Sequence, residues 1–231
     1  MKQPFRVKLR RWELVAGLLW MAVYLFLLGD GIALVLGAFG LPDDLLTRNK
    51  VFYITGFLVT VAVCWRFLRD SLAEAARDPR RLIRGVFFGW CVYLVFLAGA
   101  GILYDLLVPE LSSPNDEAVQ ALAGENFAVM AVSAVLLAPL TEETLLRGVL
   151  FGSLREKSRP AAYAVTALVF AGMHVIPYLS EMDGVTALLN SVLYILPGVA
   201  LCAAYELGGV IWTPILLHMI VNAAAMWAMR G

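Results

Sequence analysis

Residues 127–154 read FAVMAVSAVLLAPLTEETLLRGVLFGSL. The run is longer than the ~20 apolar residues a helix needs to cross the hydrocarbon core of a bilayer. It nevertheless carries Glu142, Glu143 and Arg147 near its middle. The backbone of such a segment must be helical, because hydrocarbon offers no partner to free N–H and C=O groups. Ionisable side chains at that depth are costly, so they face a polar interior and mark a functional site.

Working outward, further apolar segments fall at about 13–40, 51–68, 85–108, 161–179, 185–207 and 210–229. The chain of 231 residues is 61% hydrophobic and 16% charged, against about 45–50% and 25% in an ordinary soluble domain. That balance excludes a soluble enzyme, a disordered chain and a nucleic-acid binder. The fold class expected is all-α: a polytopic membrane protein of about seven transmembrane helices (six to eight) around a polar cavity. No repeat or linker divides the chain, so it forms one structural domain. The first segment is interrupted by Gly29-Asp30-Gly31 and reads as one tilted helix or as a helix with a re-entrant turn. Pro139, Pro197 and Pro214 lie within segments and are expected to kink or break them. Cys64, Cys91 and Cys202 sit in or beside apolar runs without CxxC spacing and read as small apolar side chains. The basic start precedes an apolar run too long for a signal-peptide core, so no cleaved signal is expected.

Net charge is zero, with 18 Lys+Arg against 18 Asp+Glu, but its distribution is informative. Lys2, Arg6, Lys8, Arg10 and Arg11 precede the first segment; Arg66, Arg69, Arg77, Arg80, Arg81 and Arg84 crowd the connection 66–84; Arg155, Lys157 and Arg159 fill the next basic one. The connections 105–126 and 180–184 hold acidic residues and no Lys or Arg. Basic and non-basic connections alternate, which predicts a cytoplasmic N-terminus in a cell inner or plasma membrane. The stretch 66–84 reads as a cytoplasmic topology anchor, partly amphipathic, near the lipid surface.

Within the spans, Glu143 and Arg147 stand four residues apart on one helix face and can pair. Glu142 is turned about 100° away and does not share that geometry. The spacing also admits both glutamates sharing Arg147, or the stretch lying at the membrane interface. The two histidines of the chain, His174 and His218, both fall in apolar segments, and Asn222 shares a face with His218. At about 1.5 Å per residue, Glu142 lies ~20 Å from Arg155, His174 ~20 Å from Ala161, and His218 and Asn222 ~12 and ~18 Å from Val210. Three helices can therefore present these four side chains to one cavity, expected to open toward the cytoplasm.

Taken in order, Glu-Glu-x-x-x-Arg at 142–147, Phe-x-x-x-His at 170–174 and His-x-x-x-Asn at 218–222 resemble the CPBP family. Its members include the type II CAAX prenyl proteases and the Abi proteins of bacteriocin processing and immunity. The resemblance covers about residues 127–229. It implies a CPBP-like catalytic core at 127–231 behind an N-terminal transmembrane region at 1–126. It also implies an intramembrane glutamic endopeptidase without a metal cofactor. Glu142 would be the general base and His174 its partner on the catalytic water. His218 and Asn222 would hold the oxyanion, and Glu143, Arg147 and Phe170 would support them. The chemistry is reasonable: a carboxylate can take a proton from water, and imidazole N–H and amide N–H₂ groups can donate to a developing alkoxide. The partners implied are membrane lipid and a hydrophobic or lipidated peptide substrate, with no nucleic acid.

Two other readings use the same residues. Two histidines and one or two glutamates suit zinc in number and type, although HExxH is absent and Asn222 is a poor zinc ligand. A non-proteolytic immunity or scaffold protein could bind a peptide in the same cavity, although it would not need this polar set.

The charge alternation makes a topological prediction. Cysteines introduced at Ser112 and Ser158 should label from opposite sides of the membrane with an impermeant thiol reagent; labelling from the same side overturns the seven-span arrangement.

Overall fold

The computed structural model describes residues 5–107 and 113–230, with side chains given outside 103–107. Lys2, Glu110 and Ser112 lie outside the described residues, as does the side chain of Asp105. Among the described residues all regular structure is helical: α1 (Arg11–Phe26), α2 (Leu28–Ala38), α3 (Leu45–Arg77), α4 (Pro79–Leu107), α5 (Pro114–Arg155), α6 (Arg159–Val175), α7 (Gly184–Gly208) and α8 (Trp212–Ala228). A 3-10 turn, Ile176–Glu181, extends α6. Side-chain caps fix several starts: Asp44 accepts from the Thr47 amide at 2.8 Å, and Asp183 from those of Val185 and Thr186 at 2.8 and 3.0 Å.

The apolar segments all appear as helices, in sequence order, and the chain is an all-α multi-pass membrane protein. Helices α3 to α7 are long and apolar enough to cross a membrane; a sixth span is present if α1 and α2 form one. Those two meet at a 65° bend at Leu27, just before the Gly29-Asp30-Gly31 interruption. Helix α8 is apolar but has 17 residues. Many large apolar side chains remain exposed, among them Leu19, Leu34, Leu58, Phe87, Val95 and Leu188, as befits surfaces facing lipid.

Helix α7 packs along both α4 and α6, and small residues allow it. A Cβ on Gly85 would come within 2.8 Å of the Gly208 backbone, and one on Gly198 within 3.1 Å of the Ala167 Cα. Close backbone approach of this kind is how helices associate where lipid removes the hydrophobic drive between them.

The three prolines act differently. Pro139 follows a π-helical stretch, Ser133–Leu137, whose wider turn accommodates the missing amide and the ring. Pro197 lies inside α7, while Pro214 sits in the first turn of α8. The expected break at Pro214 does not occur, because first-turn amides have no intrahelical partner to lose.

The basic end of the bundle is closed. The Phe5 ring stacks on Tyr205 at 4.2 Å, and Phe151 meets Tyr163 edge-on at 5.1 Å. Around them Glu206 pairs with Arg155 and, at 2.9 Å, with Arg159. Buried Glu13 of α1 pairs with Arg66 of α3, which also donates to the Lys8 carbonyl at 2.8 Å. The connection 66–84 is not a separate surface segment. Helix α3 runs to Arg77 and α4 begins at Pro79. Asp78 between them accepts from the Arg81 amide at 3.1 Å and pairs with Arg6 at 2.9 Å. Those two contacts, the amide foremost, hold its carboxyl below the ordinary range.

The packing at Gly198 can be tested. Gly198→Val should separate α6 from α7 and cost about 1–3 kcal/mol, read by thermal unfolding in detergent. Gly99→Val, at a site with no atom near an added Cβ, should leave the unfolding midpoint almost unchanged.

Candidate active site

One cavity of about 270 Å³ lies inside the bundle, and Glu142, His174, His218 and Asn222 all line it. They come from α5, α6 and α8. Phe170 lines it as well. Glu142 sits in a short α-helical stretch, Ala138–Glu143, between two π-helical ones, Ser133–Leu137 and Thr144–Phe151. Each π turn rotates the following residues relative to a regular helix. The α5 faces therefore depart from a simple 3.6-residue period here.

The two adjacent glutamates meet different surroundings. Glu143 Oε1 accepts from Arg147 NH1 at 3.0 Å and from His218 Nδ1 at 2.8 Å. Arg147, fully buried, also donates to the Gly198 carbonyl of α7 at 3.1 Å and lies 4.7 Å above the Phe170 ring. Glu142 is also buried but makes no hydrogen bond with any described residue. It lines the cavity.

The histidine tautomers follow from their partners. His174 Nδ1 is 2.8 Å from the Phe170 carbonyl, one turn back. A carbonyl only accepts, so Nδ1 carries the proton and Nε2 is left with its lone pair. His218 Nδ1 faces a carboxylate oxygen already accepting from Arg147, so it too donates. This changes the chemistry expected of His218: it can donate from Nε2 to an oxyanion only as the doubly protonated ring, not as neutral imidazole. Asn222 Nδ2 donates one hydrogen to the Ala134 carbonyl at 2.8 Å, which aims the amide and leaves its second N–H available. Among the described residues no three His, Cys, Asp or Glu side chains gather as a metal-binding set.

The cavity does not extend in the direction expected from the sequence. From Leu217 and His218 its lining runs to Asn115, Asp116 and Met229, at the end away from the basic connections. The aromatic and ionic cluster around Phe5, Phe151, Tyr205 and Glu206 fills the basic end. At the other end, α5 breaks at Asn126 (φ −153°, ψ 90°). Leu122 and Ala123, before that break, pack with Leu46 of α3 and with Met226 and Met229 beside the end of α8.

Sequence reasoning missed Tyr53, Tyr93, Asn115, Asp116 and Tyr194 as cavity residues. Asp116 was legible only as part of an acidic connection. Single tyrosines in apolar helices carry no spacing signal.

The unequal glutamates predict unequal consequences. Arg147→Ala removes the cation beside the buried Glu143 carboxylate and leaves it His218 alone, which should cost ~3–5 kcal/mol. Glu142→Gln keeps shape and loses no described partner, so it should stay within about 1 kcal/mol of native. Thermal unfolding of both variants in detergent checks this; equal losses contradict the division.

Comparison with known proteins agrees with this architecture. Residues 124–224, which contain all three motifs, match the family model described as type II CAAX prenyl endopeptidase Rce1-like. The chain is 23% identical over 192 residues to the Bacillus subtilis (strain 168) protein named "Putative membrane peptidase YdiL", across 79% of this chain and 74% of that protein. No solved structure matches. Over its motif-bearing helices the chain is thus similar to the Rce1-like CAAX prenyl endopeptidases, and over most of its length to a membrane peptidase relative.

Proposed function

We propose that the protein is a glutamic intramembrane endopeptidase that hydrolyses a peptide bond in a hydrophobic or lipidated, membrane-associated peptide. The observation that carries this is buried Glu142, which lines the cavity without a described hydrogen-bond partner while its neighbour Glu143 is held by Arg147 and His218. A carboxylate placed so is able to take a proton.

In this reading water sits between Glu142 and His174. Glu142 takes one proton as the water oxygen attacks the scissile carbonyl carbon, and His174 Nε2 accepts the other hydrogen and orients the lone pair. The resulting oxyanion receives the free N–H of Asn222 and, from the doubly protonated ring, that of His218. The C–N bond then breaks, and the proton held by Glu142 passes to the departing amine. Glu143 supports the His218 ring much as a carboxylate orients the histidine of a hydrolytic triad. The apolar lining, including Leu97, Val221 and Met226, suits a hydrophobic substrate segment. A plasma or inner membrane location with a cytoplasmic N-terminus follows from the charge alternation.

Comparative mass spectrometry of membrane peptides, with native chain against Glu142→Gln, should reveal products that only the native chain makes. With a peptide so identified, Glu142→Gln and His174→Ala should each lower turnover by ~10²–10⁴. Asn222→Ala should lower it by ~10²–10³ and leave a residual rate. The Glu142→Gln/His174→Ala double variant should be little worse than either single one, because both act on one transition state. Cleavage by Glu142→Gln within tenfold of the native rate rules out Glu142 as the base.

A further inference from the structure

Tyr194 of α7 has no place in the motifs, yet it touches both the candidate catalytic histidine and the start of α5. Its ring lies on that of His174 with centroids 4.4 Å apart and planes inclined by 16°. The other ring contact of His174 is with Phe170, centroids 4.6 Å apart. The imidazole thus has one nitrogen tied to the Phe170 carbonyl and its plane set by Tyr194.

The hydroxyl of Tyr194 is fully used. It donates to Asp116 Oδ1 at 3.1 Å and accepts from Asn115 Nδ2 at 3.1 Å, and the Ser113 hydroxyl lies 2.9 Å away. A phenol has one donor and two acceptor positions, so three partners from one short stretch of chain saturate it. That stretch lies before the Asn126 break, at the end of the cavity away from the basic connections.

We infer that Tyr194 is a positioning residue: its ring fixes the His174 imidazole, and its hydroxyl ties that ring to residues 113–116. The inference rests on the catalytic role proposed for His174, but its main test does not require activity. Glu142 and Asn222 gain nothing directly from Tyr194. The effect is confined to the orientation of one ring, and through it to the angle at which Nε2 meets the water. Small angular errors at a reacting group are costly in rate.

The chain has two histidines, so a histidine-selective ¹⁵N NMR spectrum in detergent contains two imidazoles, and His218→Gln assigns them. Tyr194→Leu should shift or broaden the His174 ring nitrogens and leave those of His218 in place. Tyr194→Phe keeps the stacked ring and should leave the His174 signals unchanged, while amide exchange over 114–125 becomes faster. With a peptide that the native chain is found to cut, Tyr194→Leu should lower kcat roughly tenfold with KM within about twofold, the size expected for loss of one aromatic pair. If Tyr194→Leu does not fold, Tyr194→Met fills the space without an aromatic plane and takes its place. Unchanged His174 signals in the ring-deleted variant overturn the inference. So does an equal disturbance in Tyr194→Phe, which would assign the effect to the hydroxyl. A native chain without peptidase activity, or a Glu142→Gln chain that still cleaves, removes the proposed mechanism but leaves the spectral comparison to decide the role of Tyr194.

Discussion

A single carboxylate oxygen, Glu143 Oε1, organises the middle of this bundle. It accepts from Arg147 one turn further along its own helix and from His218 of α8. Arg147 in turn holds the Gly198 carbonyl of α7 and stacks over Phe170 of α6. Four helices therefore meet through one buried cation and its counter-ion. In lipid no water is at hand to replace a lost partner, so such a set must form together or not at all. The same contacts that stabilise the bundle settle which face of α5 is engaged, and so which of the two glutamates is left to the cavity.

That constraint explains features which look unrelated in the chain. Gly198, whose carbonyl accepts from Arg147, also lies close against α6, and a side chain there would meet Ala167. Phe170 packs between the guanidinium and both imidazoles, with ring centroids 4.6 and 5.8 Å from His174 and His218. The π turns on either side of Ala138–Glu143 adjust the phase of α5, so that Glu143 addresses the ion set while Glu142, Ala138 and Ala134 line the cavity. A wide turn re-aims the side chains that follow it without ending the helix.

The two ends of the bundle do different work. At the basic end, Phe5, Phe151 and Tyr205 pack beneath the Glu206 ion cluster, and Glu13 is buried against Arg66. The many arginines there are largely paired, which makes that end a structural closure as well as a topological marker. At the other end the start of α5 lies beside the cavity, and its polar residues reach Tyr194.

Much of the protein was legible in the sequence for physical reasons. Lipid permits few backbone solutions, so apolar runs gave the helices and their order. The scarcity of charge within those runs marked Glu142, Glu143, Arg147, His174, His218 and Asn222, because each is too costly at depth to be incidental. Spacing alone paired Glu143 with Arg147. The rest depended on distant segments meeting. That His218 shares the Glu143 oxygen, and so donates from Nδ1, follows from the approach of α8 to α5, which no local pattern encodes. The closure of the basic end arises from Phe5, Phe151 and Tyr205, far apart in the chain. Asp116 meets Tyr194 across 78 residues of chain, and Tyr194 meets His174 across the α6–α7 packing, neither of which a local pattern encodes. Sequence determined what had to be buried; tertiary packing decided which buried groups found each other, because hydrogen bonds and ring contacts are set by angles and distances of a few ångströms that helical periodicity does not fix.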